Sequence, residues 1–353
     1  FRDMRSMARE VASLYLESRE RGEFPWLEDE TAAAGSTAAA GAAAPIKIAT
    51  PSKAADVLFE IGTEELPPAD LDGYMAQLRD NMPALLDNLR LEHGDVHVYG
   101  TPRRLVVHVE NVAPTQPDRA ELVKGPPADR AFRAGGQPTN AAARFPRRKG
   151  LEVRALEVQE IDGGRYAVAT VFEKGRGAIE VLVEALPDFV AGLKVDRAIR
   201  WNASNVSFSR PIRWFTALFG EDVIPFQYAG LTAGNATRGL RFSDPAELAV
   251  KDAAAYFEAM EQQGILLDVD ARRAAILEQV NALAKQAGGR IPDDPGLLAE
   301  VTHLVEAPTA LTGHFDEQYL DLPREVLVSV MKKHQRYFPI ENEAGDALLP
   351  HFI

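Results

Sequence analysis

The stretch VLFEIGTEELPP, residues 57–68, decides how the folded part of this chain begins. Its first half is an apolar run, and we predict a β-strand over residues 56–61. Two adjacent carboxylates, Glu64 and Glu65, come next, followed by two prolines of the kind that opens a helix. An apolar stripe at helical spacing then predicts an α-helix to about residue 90.

We interpret Glu64 and Glu65 as residues of this strand-to-helix junction. Negative charge ahead of a helix's first turn is favoured by the helix dipole, by about 0.3 to 1 kcal/mol. A catalytic dyad is the alternative with a functional role, but the sequence spacing places no further acid–base group beside the pair. A surface role is the third reading.

Length, charge and composition narrow the class of protein. A chain of 353 residues predicts two to three domains, and 46% hydrophobic with 26% charged residues is typical of a soluble globular protein. No apolar run reaches the length needed to span a bilayer, so we expect no membrane contact. The absence of cysteine excludes disulfides, thiolate zinc sites and cysteine nucleophiles, and agrees with a cytoplasmic location.

The two ends of the sequence suggest a piece of a longer polypeptide. Residues 2–21 have the pattern of an amphipathic helix, which needs a preceding domain or another chain to cover its apolar stripe. Residues 32–55 are rich in alanine and glycine and predict a flexible linker. We expect the natural fold to continue past Ile353.

Between these ends the chain reads as a mixture of strands and helices. We predict strands at 96–99 and 105–109, a helix-loop-helix over 119–150, a hairpin of 156–158 with 166–172, a helix at 177–192, strands and loops over 196–242, and helices at 246–264, 269–288 and 295–305. Because residues 56–110 and 196–242 share strand character, we expect them in one sheet, with the block from 120 to 195 as an excursion from it.

Two basic islands stand out in a chain whose formal net charge is −13. Residues 124–149 hold seven cations against one acid, and residues 197–241 hold six arginines against two acids. Such clusters fit contacts to phosphates, and aromatic residues between arginines fit stacking on unpaired bases. The candidate RNA contacts are Arg103, Arg104, Lys124, Arg130, Arg133, Arg144, Arg147, Arg148, Lys149, Arg197, Arg200, Trp201, Arg210, Arg213, Arg238 and Arg241.

A structural reading competes with this interpretation. We expect Trp214 and Phe215 to be core residues. For the four arginines that precede them in the sequence, RNA contact and internal ion pairs both stay open: Arg197, Arg200, Arg210 and Arg213.

The sequence offers no catalytic or metal site that we would assign. Neither GxGxxG nor GxxxxGK[ST] occurs, and the seven histidines lack metal-ligand spacing. His334 in MKKHQRYFP is the best candidate for a general base, but a solvated helix end explains that run equally well. The residues alone therefore indicate a multidomain protein that binds an acidic polymer.

A family resemblance goes further. Eight motifs carry it: VLFEIGTEELPP (57–68), TPRRL (101–105), KGPP (124–127), GQPTNAAARF (136–145), RWNASNVSFSRPIRW (200–214), TRGLRF (237–242), LVEAPTALTGHFDEQYLDLP (304–323) and MKKHQRYFP (331–339). In this order they resemble the N-terminal part of the β subunit of bacterial heterotetrameric glycyl-tRNA synthetase. The opening MAREVASLYLESRERGEFPW resembles the C-terminal tail of the α subunit, so we expect an α–β fusion, with a natural fusion favoured over an engineered one.

The resemblance implies an α+β multidomain fold. The implied divisions are an α-type helix at 1–31, the linker at 32–55, a body like that of archaeal CCA-adding enzymes at 56–120 and 196–245, an inserted helix-hairpin tail at 121–195, and a helix-rich domain at 246–353 like the B3/B4 module of phenylalanyl-tRNA synthetase. Histidine–aspartate-type and anticodon-binding domains would follow Ile353.

The resemblance also implies a function. The whole enzyme would join glycine to its tRNA, with ATP and Mg²⁺ bound by the α-type region, and this chain would carry no active site and no cofactor. Its expected partners are glycine tRNA and the α-type catalytic domain, in a homodimer of fused chains. The alternatives are an assembly module that docks on the catalytic domain and, less favoured, a hydrolytic proofreading domain.

Overall fold

We analysed a computed structural model that describes residues 2–21, 51–131, 139, 153–161, 164–241 and 245–353. The chain divides into two compact units, Phe1–Lys47 and Ile48–Ile353. No helix within the described ranges is both long and apolar enough to cross a membrane.

The described residues form eight α-helices, a short 3₁₀-helix at Glu317–Asp321 and a π-helix at Val330–Gln335. The α-helices are α1 (Arg2–Arg21), α2 (Pro68–Asn88), α3 (Ala128–Ala131), α4 (Ala178–Gly192), α5 (Ala253–Gln262), α6 (Val269–Gln286), α7 (Pro295–Thr302) and α8 (Arg324–Ser329).

The part of the chain that the structure describes also contains eighteen strands, and many are short. They are β1 (Ala55–Thr63), β2 (Val96–Thr101), β3 (Arg104–Val112), β4 (Arg119–Pro127), β5 (Val153–Ile161), β6 (Gly164–Glu173), β7 (Ile199–Arg200), β8 (Ser207–Phe208), β9 (Ile212–Phe219), β10 (Asp222–Val223), β11 (Gln227–Tyr228), β12 (Leu231–Thr232), β13 (Ala236–Arg238), β14 (Glu247–Ala249), β15 (Gly289–Arg290), β16 (Gly313–His314), β17 (Pro339–Asn342) and β18 (Leu348–Phe352).

The first unit contributes α1, which confirms the helix predicted over residues 2–21. Its apolar side chains Met7, Val11, Leu14 and Tyr15 are between 57% and 64% exposed. This face has the character of a surface that a partner covers. Residues 32–50 of the predicted linker lie outside the described part of the chain.

The second unit is organised by a five-stranded antiparallel sheet of order β10-β9-β1-β3-β2. Strand β1 pairs with β3 on one side and β9 on the other, which confirms that 56–110 and 196–242 contribute to one sheet. Alternate residues of β1 face opposite sides. Phe59 lies in a core shared with α2 and α4, whereas Leu58 packs with residues of α5, so the sheet is covered on both faces.

A second antiparallel sheet, of order β4-β6-β5, contains the predicted hairpin. Strand β4 corrects the helix-loop-helix expected over 119–150, because residues 119–127 form a strand that pairs with β6 and not a helix. Beyond α3, only Thr139 of that segment is described. The helix α4 falls in the tail region that the resemblance implies at 121–195. It buries Leu182 and Leu186 in the same core as Phe59 of the five-stranded sheet.

The last part of the chain combines helices with a four-stranded sheet of order β15-β17-β18-β16. The helices predicted at 269–288 and 295–305 are confirmed as α6 and α7. The helix predicted at 246–264 begins later, because residues 247–249 pair with β13 as β14 and Asp252 caps α5. The buried Arg272 of α6 donates to the carbonyl oxygen of Gly100 in β2 at 2.8 Å, which ties this part to the first sheet.

A buried polar network joins these layers. Glu60 of β1 accepts hydrogen bonds from Trp214 Nε1 at 2.9 Å, Thr216 Oγ1 at 2.7 Å and the Tyr256 hydroxyl at 2.9 Å. Its fourth partner is Arg104 of β3, at 3.3 Å. Glu60 and Arg104 are both completely buried, so each depends on the other for neutralisation.

A second carboxylate completes this network. Glu306, in the segment after α7, accepts from Arg104 Nε at 2.9 Å and from Thr101 Oγ1 at 2.6 Å. Burial by itself would lower the pKa of Arg104, but the charges of Glu306 and Glu60 outweigh it and raise that pKa. The guanidinium therefore stays charged between two carboxylates from distant parts of the sequence.

We expect Arg104→Met to lower the free energy of unfolding by about 3 to 5 kcal/mol, because it leaves Glu60 buried without a cation and Glu306 with Arg103 alone. Urea unfolding followed by tryptophan fluorescence measures the change. Arg79→Met is the matched control, since Arg79 lies exposed on α2, and it should stay within about 0.5 kcal/mol of the parent chain. Equal free energies of unfolding for Arg104→Met and the parent would show that the network does not stabilise the fold.

Candidate nucleic-acid interface

The first basic island is only partly described. Lys124 lies on β4 with its Nζ 3.9 Å from the centroid of the Tyr166 ring, a cation–π geometry. Arg130 is exposed on α3. The remaining candidates of this island lie outside the described residues: Arg133, Arg144, Arg147, Arg148 and Lys149.

In the second island, β7 and β8 form a small two-stranded hairpin of their own. We call residues 197–208 the basic hairpin; in it β7 and β8 pair through Ile199 with Phe208 and Arg200 with Ser207. Asn202 shapes the turn, because its Oδ1 accepts from the backbone and hydroxyl of Ser204. Asn205 takes the left-handed backbone conformation, with φ of 59°.

Two contacts fix the basic hairpin to its surroundings. Asn202 Nδ2 donates to the carbonyl oxygen of Ala229 at 2.8 Å, in the turn between β11 and β12. The ring of Phe208 stacks on Tyr74 of α2, with centroids 4.4 Å apart. The hairpin is therefore held on a packed base while its turn faces solvent.

Arg197 and Arg200 of the basic hairpin are exposed cations without a carboxylate partner. Neither forms an ion pair with any residue that the structure describes, and the only side-chain bond of Arg200 runs from Nε to the carbonyl of Asn205 at 3.3 Å. Trp201, the residue after Arg200, is half-buried and packs against the core. These two guanidinium groups are thus available to an external anion.

The neighbouring arginines differ in this respect. Arg210 is half-buried and donates to the carbonyl of Ser209 at 2.9 Å. Arg213 donates to Glu64 at 2.8 Å. The sequence left RNA contact and internal ion pairs open for these arginines. In the structure Arg213 forms an ion pair, whereas Arg197 and Arg200 form none with any described residue.

Glu64 lies between two arginines from different strands and loops. Its Oε1 is 2.8 Å from Arg213 Nε and its Oε2 is 3.0 Å from Arg241 Nη2, and Glu65 lies 3.2 Å from the same Arg241 nitrogen. We call Arg213 and Arg241 the arginine fork. Partial burial acts to raise the pKa of Glu64, but hydrogen bonds and charges from both arginines prevail and lower it. The pair of carboxylates is thus part of an ionic cluster at the junction of β1 and α2.

Trp214 organises a second group of arginines. A Cβ on Gly62 would lie 1.9 Å from the Trp214 ring, so only glycine at this position allows the ring to pack on β1. The guanidinium carbons of Arg103, Arg104 and Arg238 lie 5.9, 5.7 and 5.2 Å from the ring centroid. The expectation that Trp214 and Phe215 are core residues is confirmed, with 8% and 2% of their surfaces exposed.

The members of this group have carboxylate partners. Arg103 pairs with Glu306 at 3.5 Å and Arg238 with Glu247 at 3.3 Å. Arg104 has no exposed surface, so we correct its assignment as an RNA contact. Its guanidinium forms ion pairs with Glu60 and Glu306 inside the protein.

A cleft of about 360 Å³ opens beside the arginine fork. Arg213, Thr232, Asn235 and Arg238 line it, and Thr237 forms part of its wall. Thr232 belongs to β12, the strand that follows the Ala229 turn to which the basic hairpin is bonded. The basic hairpin, the cleft and the arginine fork are therefore neighbours along one region of the second unit.

The other candidate groups give no site. His334 is exposed in the π-helix that precedes β17. Asp95, His97 and Glu110 at the exposed end of β2 and β3 have donor atoms within 4.8 Å of one another, an arrangement that histidine spacing along the sequence did not indicate. Exposed groups of this kind are common without an ion, so no metal is assigned to them.

Comparison with known proteins identifies relatives of most of this chain. The family model described as glycyl-tRNA synthetase beta subunit matches residues 57–353. The glycine–tRNA ligase beta subunit of Moorella thermoacetica is 46% identical over 300 residues, which is 85% of this chain and 43% of that protein. That of Desulfitobacterium hafniense strain DCB-2 is 42% identical over 301 residues, again 43% of its length.

One relative aligns with the first residues too. The glycine–tRNA ligase, chloroplastic/mitochondrial 2, of Arabidopsis thaliana is 43% identical over 357 residues, covering 100% of this chain and 33% of that protein. The chain thus spans less than half the length of each of these curated relatives.

We expect Arg213→Gln to raise the pKa of Glu64 toward its ordinary value, because one of two hydrogen-bonded cations is removed. A carboxylate with a lowered folded-state pKa stabilises the fold above its unfolded pKa of about 4.3, and that stability is lost as pH falls through the folded-state value. The carboxyl ¹³C shift of Glu64, followed by NMR from pH 6 to 3, measures it. An unchanged titration would mean that Arg213 does not hold Glu64 in solution.

Proposed function

This chain belongs to the glycyl-tRNA synthetase beta subunit family, and on that premise we propose that it is a tRNA-holding, noncatalytic part of a glycine–tRNA ligase. The whole enzyme would attach glycine to its tRNA. ATP and Mg²⁺ would be bound by an α-type catalytic region, so this chain supplies no step of the chemistry. Its task would be to bind and orient the nucleic acid.

The observation that carries the proposal is the pair of free guanidinium groups on the basic hairpin. Arg197 and Arg200 project from a hairpin that is tied to Ala229 and stacked on Tyr74, and no described carboxylate neutralises them. In a chain of net charge −13, an exposed arginine pair that has no ion pair with a described residue attracts phosphate. The partly exposed Trp201, next to Arg200 in the sequence, offers part of its ring to an unpaired base.

Assembly is the second function that an observation favours. The exposed apolar face of α1 supports docking of this part of the chain on another protein surface, which we take to be the α-type catalytic region. The Arabidopsis relative aligns with α1 and with the rest of the chain, which supports the proposed α–β fusion. A homodimer of fused chains is our proposal for the whole enzyme.

Three expectations from the sequence stay predictions. The division into body, tail and a B3/B4-like domain at 246–353 is one, and the cytoplasmic location is another; the Arabidopsis relative is named as chloroplastic/mitochondrial. The third is the less favoured alternative of a hydrolytic proofreading domain. An assay of deacylation of alanyl-tRNA by the chain addresses it directly.

We expect Arg197→Glu/Arg200→Glu to weaken binding of a glycine tRNA transcript at least tenfold at low salt, because two phosphate contacts become repulsive. Fluorescence anisotropy of labelled tRNA, repeated at several salt concentrations, measures affinity. In the parent chain log K should fall linearly with log salt, and the variant's slope should be shallower by about 0.7 to 0.9 for each lost phosphate contact.

The control variant carries the same charge change elsewhere. Arg79→Glu/Lys285→Glu reverses two exposed cations on α2 and α6, neither of which has an ion pair with a described residue. This variant should bind tRNA within about twofold of the parent. Salt-insensitive binding by the parent, or equal losses in both variants, would contradict the proposal.

A further inference from the structure

The arginine fork has the form of a filled anion site. Two guanidinium groups from different elements, Arg213 on β9 and Arg241 after β13, converge on one carboxylate at 2.8 and 3.0 Å. Nearly half of each arginine side chain is exposed, at 47% and 46%. Guanidinium groups bind phosphate in the same way as carboxylate, through charge-assisted N–H to oxygen bonds. A phosphate oxygen could therefore take the place that Glu64 holds.

The Glu64 side chain is not what holds its own segment in place. The backbone N–H of Glu64 donates to the carbonyl of Pro211 at 3.0 Å, and that of Thr63 to Arg103 at 2.8 Å. Two residues on, Leu66 N–H donates to Pro102 at 2.7 Å and its side chain is buried. The junction between β1 and α2 is fixed by these main-chain bonds, so the carboxylate is free to leave the arginines without loss of the local fold.

The surroundings favour an RNA phosphate over an isolated anion. Arg213 also lines the cleft of about 360 Å³, whose other walls include Asn235 and Thr232. The side chain of Asn235 is exposed and has no hydrogen bond to any described residue, so its amide can donate to and accept from a nucleoside. A phosphate on the fork would thus have space and polar groups beside it for the nucleoside it carries.

We propose that the arginine fork is a binding site for an RNA backbone phosphate, and that Glu64 occupies it as an internal competitor when RNA is absent. The proposal rests on the tRNA-binding function given above and extends it to a second site. On binding, the phosphate replaces one carboxylate as the partner of Arg213 and Arg241, and Glu64 turns to solvent. Glu64 thereby lowers the affinity for weakly held polyanions, since any ligand must displace it.

This assignment differs from a purely structural role in the sign of one effect. If Glu64 only stabilises the surface, its removal weakens the fold slightly and leaves RNA affinity unchanged. If it competes with phosphate, removing its charge frees Arg213, leaves Arg241 with Glu65 as its carboxylate partner among the described residues, and strengthens binding. A gain of affinity from a single substitution is not expected of damage to a structural ion pair.

The test is Glu64→Gln in the full chain, with labelled glycine tRNA as the ligand and anisotropy as the readout. We expect binding to be about three- to tenfold tighter than in the parent, with a steeper dependence of log K on log salt. Adding Arg213→Gln to Glu64→Gln should remove the gain. Inorganic phosphate at matched ionic strength should not compete, because it lacks the nucleoside that the cleft would receive.

Glu184→Gln is the matched control. Glu184 is an exposed carboxylate paired with Arg176, so the substitution makes the same change in net charge at another ion pair. It should change tRNA affinity less than twofold. Thermal unfolding checks that each variant is folded, and Glu64→Ala is the second variant should glutamine perturb the segment.

The outcomes separate the two proposals. If the parent binds tRNA but Glu64→Gln binds no more tightly than Glu184→Gln, the fork is a structural ion pair and this inference is overturned. If neither the parent nor any variant binds tRNA, the proposed function fails and the fork assignment fails with it. Tighter binding by Glu64→Gln that Arg213→Gln reverses supports both.

Discussion

The fold depends on one buried cation, the guanidinium of Arg104, held between the carboxylates of Glu60 and Glu306. An unpaired buried charge is strongly unfavourable, so each member constrains the others. Glu60 also accepts from Tyr256 on α5, and Glu306 follows α7, so the central sheet and the helices are tied through a few atoms. Apolar packing alone would bring these layers together, but the network sets how they align.

The same network sorts the arginines into two kinds. Arg103 and Arg238 gather with Arg104 around the Trp214 ring, where Glu306 and Glu247 neutralise them. Arg197 and Arg200 lie exposed on a hairpin and form no ion pair with any described carboxylate. A count of cations along the sequence treats both kinds alike, because it has no knowledge of which acids fold back onto them. The external pair is what an acidic protein has available for a polyanion in this region.

Between these kinds lies the arginine fork, exposed but occupied. The strand-to-helix junction also positions a charge. Backbone hydrogen bonds fix Glu64, and its carboxylate pairs with Arg213 and Arg241. In the proposed competition, a ligand phosphate binds the fork only if it binds the two guanidinium groups more strongly than this carboxylate does. The basic hairpin could then give first contact, and the fork a second contact that depends on displacing Glu64.

The sequence by itself determined the elements whose signals are local. The apolar run of β1, the prolines ahead of α2, the hairpin of β5 and β6 and the amphipathic helices α1 and α6 follow from periodicity and turn residues, and the motif order identified the family. Only the tertiary structure decided that β4 is a strand, that α4 packs with the five-stranded sheet, and that Arg104 is internal. Each depends on partners distant in sequence, as Glu306 lies 202 residues from Arg104. Pairing across such distances is set by burial and charge compensation in three dimensions, and neither leaves a local pattern in the sequence.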